Sequence, residues 1–152
     1  MNTKVVFGLG AVVVAVIAFT FLQSEPQQTA QGHSMTPPDT TAIEKGDPIV
    51  TVALPAELSA NAQIGKRAFD AKCAACHGAN AAGQNGVAPP LVHKIYEPGH
   101  HSDMAFIFAV QNGVKSHHWR FGNMPPIEGL TNADVKYIAR YVRELQKENG
   151  IN

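Results

Sequence analysis

The stretch Cys73-Ala74-Ala75-Cys76-His77 holds both cysteines of the 152-residue chain and sets a histidine directly behind the second. On a helical turn, side chains at i and i+3 share a face. Both sulfurs can therefore reach one edge of a flat ligand, and the following residue, turned by about 100° around the axis, can bring its imidazole over the ligand's centre. Paired cysteines at this spacing serve as a structural disulfide, a redox dithiol, a zinc corner or an attachment point for haem. A disulfide leaves His77 without a role. A redox dithiol belongs in a βαβ setting, which the sequence lacks. A zinc corner needs a second ligand pair, and the candidates His100-His101 and His117-His118 are sequence neighbours that point apart too readily to close a site. Covalent attachment of a single haem c, whose signature is C-x-x-C-H, accounts for all three residues.

The segments around this motif read as helices. Ser59 is a good N-cap, and "ANAQIGKRAFDAKCAACHG" places Gly65, Phe69 and Cys73 at four-residue steps, so one helical face runs into the cysteine pair. Residues 78–99 are rich in Gly and Pro and read as loop. A second helix is expected from the N-cap Ser102 to the stop at Asn112-Gly113. The last helix opens at Thr131 with Asp134 three residues on, a capping-box pattern. Its core stripe is Val135, Ile138, Ala139, Val142 and Leu145. With no competing strand pattern, the domain should be all-α.

Ahead of this domain, residues 5–22 form an 18-residue run without a charge, preceded by Lys4. As a helix it would span about 27 Å, close to a bilayer's hydrocarbon thickness. A cleaved signal peptide competes, but its apolar region is shorter, about 7–15 residues, and no small-x-small site follows directly. The expectation is a single-pass transmembrane anchor with residues 1–4 in the cytoplasm, and either reading exports the rest. Residues 23–58, rich in Gln, Thr and Pro, read as a linker. Its later part, Ile49–Leu54, is a candidate extended piece lying on the domain. Residues 1–59 carry two basic and five acidic side chains and residues 60–152 ten and seven. That imbalance is too mild for a nucleic-acid binder.

Over about residues 59–150 the sequence resembles the class I monohaem cytochromes c. The resemblance implies that Cys73 and Cys76 form the thioethers and that His77 is the proximal iron ligand. "APPL", Ala88 to Leu91, is similar to that family's Gly-Pro-x-Leu segment, which makes the Pro89 carbonyl the acceptor for His77, with alanine in place of the usual glycine. Gly65, Phe69 and Tyr141 match the family's crossing of first and last helices. The sixth iron ligand implied is Met124, in "GNMPP" just before the last helix. Its rivals are His93, His100, His101, His117 and His118. Met104, inside "DMAFIFAV", reads as core filling.

Trp119 and Arg120 stand close enough to Met124 in sequence to donate to a haem propionate; ordinary packing and solvation are the other reading. The histidine pairs read either as a copper or pH-responsive site or as polar loop positions. Lys66, Lys72, Lys94 and Lys115 read either as a ring that steers acidic partners or as plain solubility charges. An iron closed by His and Met has no open position for substrate, so no catalytic residues are expected. The chain then reads as an electron carrier tethered by residues 5–22 to a bacterial plasma membrane, its haem domain on the periplasmic side. The expected partners are membrane redox proteins such as a cytochrome bc-type complex, a terminal oxidase or another reductase. The alternatives are a haem-based gas sensor and the electron-entry subunit of a larger oxidoreductase.

Overall fold

The computed structural model describes residues 35–152. The anchor expected at 5–22 lies outside them, and among the described residues no helix is long and apolar enough to cross a membrane. The helices are α1 (Ala60–Lys72), α2 (Ala74–His77), α3 (Asp103–Asn112) and α4 (Asn132–Glu148), with 3₁₀ turns at Ala79–Ala81 and Lys94–Tyr96. Strand pairing among the described residues is confined to the isolated bridges Gln84–Ala88 and Val114–Met124.

Helices α1 and α4 start where the sequence places caps. Ser59 Oγ accepts from the Ala62 amide at 3.3 Å. The Thr131 hydroxyl accepts from the Asp134 amide at 3.2 Å while the Asp134 carboxylate accepts from the Thr131 amide at 2.8 Å, a closed capping box. The Thr131 hydroxyl, which also donates to the Asp134 carboxylate at 2.7 Å, and then the Thr131 amide hold that carboxyl below its ordinary pKa. Helix α1 buries Ala62, Gly65 and Phe69, and α4 buries the whole expected stripe together with Tyr141 and Gln146.

The two buried faces cross at Gly65. A Cβ on that residue would lie 1.8 Å from the Tyr137 carbonyl oxygen, so only glycine lets the backbones approach this closely. One turn on, the Phe69 and Tyr141 rings meet at 5.6 Å in a tilted pair, a geometry that contributes about 0.5–1.5 kcal/mol beyond its buried area. At the other end of the crossing, Ser59 donates from both its amide and its hydroxyl to the Glu144 carboxylate, at 3.0 and 2.6 Å. The N-cap of α1 is thereby tied to α4.

The face of α1 runs into the cysteine pair; the helix itself ends at Cys73, whose φ is −116°, and α2 restarts as a separate turn. From Thr40, the segment read as linker is fastened to the domain. The Asn85 side-chain amide donates to the carbonyls of Thr40 and Ile43 at 3.2 and 2.7 Å. Ile49 and Val50 amides both bond the Ala82 carbonyl, and Ala53 exchanges two 2.9 Å bonds with the Asn149 side chain. Ile49, Val50 and Ala53 are thus bonded to the domain at Ala82 and Asn149 rather than through a strand partner.

Replacing Gly65 by alanine should destabilise the domain by about 3 kcal/mol, at the upper end of overpacking effects because the obstacle is backbone. A denaturant titration of the haem-bearing protein checks this. An unchanged midpoint would show that the helices do not cross here.

Candidate haem-binding site

The C-terminal end of α1 delivers the cysteine pair. The Cys73 amide bonds back to Phe69 at 2.8 Å, and its carbonyl accepts from Cys76 and His77 at 3.1 and 2.9 Å, which starts α2 at once. Cys73 packs against the core while Cys76 is exposed, and the two are unbridged. Burial, reinforced by the neighbouring Cys76, pushes the Cys73 thiol up to about 11.

His77 closes α2, and its Nδ1 donates to the Pro89 carbonyl at 2.9 Å. That bond fixes the tautomer and leaves Nε2 as the ring's free lone pair. Burial lowers the imidazole's pKa, and the Pro89 bond works against the shift without reversing it. The residues read from "CAACH" and "APPL" are therefore brought together by the fold.

Several contacts that no motif announces hold Pro89 in place. The chain from Gly78 doubles back so that Gly83 bonds the His77 carbonyl at 2.7 Å and Leu91 bonds Ala81 at 2.9 Å. Gly83 sits at φ +74°, and a Cβ there would lie 2.5 Å from the Pro90 nitrogen. Gln84 Nε2 donates to the Ala74 and Ala75 carbonyls at 3.2 and 3.0 Å, clamping the loop onto α2. Asn80 and the fully buried Ala81 adopt φ of 54° and 59°. For alanine this left-handed conformation costs about 1–2 kcal/mol. Asn80 is held there by the Tyr141 hydroxyl, which donates to its side-chain oxygen at 3.2 Å. Burial, then the Asp70 charge, pushes that hydroxyl up to about 12.

Met124 is partly buried and lies in the loop before α4. Its amide and carbonyl pair with Val114 at 3.0 and 2.9 Å, and Ile127 bonds the Val110 carbonyl at 2.8 Å. The methionine's backbone is thus fixed against the end of α3. Met104 is not core filling: it is 48% exposed, as is Phe108 one turn on at 56%. The buried side of α3 is Ile107 and Val110, and Met104 and Phe108 occupy the other side.

Trp119 is buried, stacked on Phe121 at 5.7 Å and edge-on to His93 at 5.4 Å. Its indole Nε1 closes no hydrogen bond of normal geometry among the described residues, although it is near enough to the Tyr96 hydroxyl to oppose the burial that raises that group's pKa. A buried donor without a partner is costly and calls for an acceptor from outside the protein. Arg120 beside it is exposed.

Haem c fits these residues. The free Nε2 of His77, two thiols on one turn beside it and an indole N–H without an acceptor are the donor set that such a macrocycle, with its iron, vinyl groups and propionates, would use. A small helical domain arranged around a site of this kind is a haem-binding electron-transfer protein. Residues 62–146 match the Cytochrome c family. The chain is also similar to cytochrome c6 of Cyanidium caldarium, 34% identical over 84 residues that span 55% of this chain and 71% of that protein. The chain belongs to the cytochrome c family.

Replacing Cys73 and Cys76 together by alanine should abolish haem that survives denaturation. A haem stain on a denaturing gel checks this, and retained signal would place the attachment elsewhere.

Proposed function

We propose that this chain is a membrane-tethered c-type cytochrome that passes single electrons between redox proteins at the outer face of a bacterial plasma membrane. When bound, one haem c supplies a one-electron iron couple. His77, through Nε2, and Met124 would hold the iron. Cys73 and Cys76 would carry the thioethers, and Trp119 the hydrogen bond to a propionate. The observation that carries this reading is His77 anchored through Nδ1 on the Pro89 carbonyl with Nε2 left free, and the Met124 backbone, bonded to Val114, supports it. Two ligands held by the protein would keep the same shell in both oxidation states, which suits electron transfer better than binding of an added ligand.

The tether reading rests on the uncharged stretch at 5–22. Tethering raises the carrier's concentration near membrane partners, which offsets the small interfaces of fast redox encounters. Lys72, which donates to the Glu128 carbonyl at 3.4 Å, and the lysines at 66, 94 and 115 would steer acidic partner surfaces.

The Met124→Ala variant tests the function. The oxidised parent should show the near-infrared sulfur-to-iron charge-transfer band, and the variant should lose it and show a lower reduction potential, since a thioether favours ferrous iron. A parent without the band, or a variant that keeps it, would remove Met124 from the iron. In a separate measurement, the native protein should remain with washed membranes until detergent is added. Recovery in the soluble fraction would refute the anchor.

A further inference from the structure

The histidines that the haem site leaves unused converge. His101 follows the turn at Lys94–Tyr96, and His117 and His118 follow α3, yet one ring nitrogen of each lies within 4.8 Å of those of the other two. Adjacency in sequence does not drive His117 and His118 apart: their ring centroids are 4.3 Å apart, and His101 faces them at 6.1 and 5.5 Å.

Two of the rings are oriented from behind. His101 Nδ1 donates to the Ile95 carbonyl at 2.6 Å, and His117 Nδ1 donates to the Lys115 carbonyl at 2.9 Å. Each is left with Nε2 as its basic nitrogen, the way metal-ligating imidazoles are held. Both supporting loops are braced. Arg143 donates to the carbonyls of Tyr96 and His101 and pairs with Asp103 at 2.8 Å. The Ser116 amide bonds Asn123 at 2.9 Å, and the Ser116 hydroxyl bonds the Trp119 carbonyl.

We propose that His101, His117 and His118 form a three-imidazole site for a divalent transition metal of the zinc and cupric class, separate from the haem iron. Nitrogen donors of this borderline softness favour such ions over magnesium or calcium, which prefer oxygen. Zinc–imidazole bonds of about 2.0–2.1 Å with tetrahedral angles put ligand nitrogens about 3.3 Å apart. Each pair of nitrogens therefore closes by no more than about 1.5 Å on binding, a movement open to the exposed His117 and partly exposed His118. Solvent supplies the fourth ligand.

The test is calorimetric titration of zinc into the full-length haem-bearing protein in detergent. One zinc per chain should bind, and magnesium should give no heat. His117→Ala and His118→Ala should each weaken zinc by about tenfold or more, His117→Gln should do the same without a change of bulk, and His100→Ala should leave the affinity within about twofold. The haem absorption spectrum should not change during the titration. Absent zinc binding, binding insensitive to His117 and His118, or equal loss in His100→Ala would overturn the site. A zinc-dependent change in iron ligation would also overturn it by placing one of these histidines on the haem. Failure of the metal site alone would leave the Met124 band, and hence the electron-transfer reading, intact.

Discussion

The approach of α1 to α4 at Gly65 governs the rest of the molecule. The clearance is that of a hydrogen atom, since a methyl group would collide with the Tyr137 carbonyl. Close contact lets Phe69 reach Tyr141 and brings Cys73 and Ala74, at the end of α1, against the core the two helices share. Tyr141 then extends the crossing to the site through Asn80. The loop that presents the Pro89 carbonyl to His77 thus depends on the helix pair at one end and on Gln84 at the other.

A second set of constraints radiates from one buried amide. Gln146 is fully buried, and its Nε2 donates to the Leu91 and Tyr96 carbonyls at 2.8 and 3.0 Å while its oxygen accepts from Arg143 at 2.6 Å. A buried amide satisfied on both atoms specifies geometry more than it adds stability. Here it fixes the loop between Pro89 and the His101 cluster against α4, so haem site and histidine cluster share one scaffold.

The parts of this arrangement legible in the sequence are those with a period or a fixed spacing. The stripe Val135–Leu145, the Thr131–Asp134 box and the cysteine pair follow from local rules, the Pro89 acceptor from the family resemblance, and all stand where these put them. Long-range hydrogen bonds leave no such mark. Nothing around Gln84 or Asn85 announces a clamp, the break at Cys73 carries no pattern, and of the fastening of Thr40–Ala53 only the part from Ile49 on is legible. Met104 was misread because an apolar helix run does not say which side is covered. The histidine cluster escaped for a related reason, because His101 and His117 come together only through loops fixed by Arg143 and Ser116.

The central proposal is that His77 and Met124 both ligate the iron, so that the protein carries electrons instead of binding ligands. Exposing the reduced wild-type protein to carbon monoxide at neutral pH tests it most directly. The account predicts an absorption spectrum unchanged by the gas. Prompt formation of a carbon monoxide adduct would contradict it and show a sixth position open to diatomic ligands.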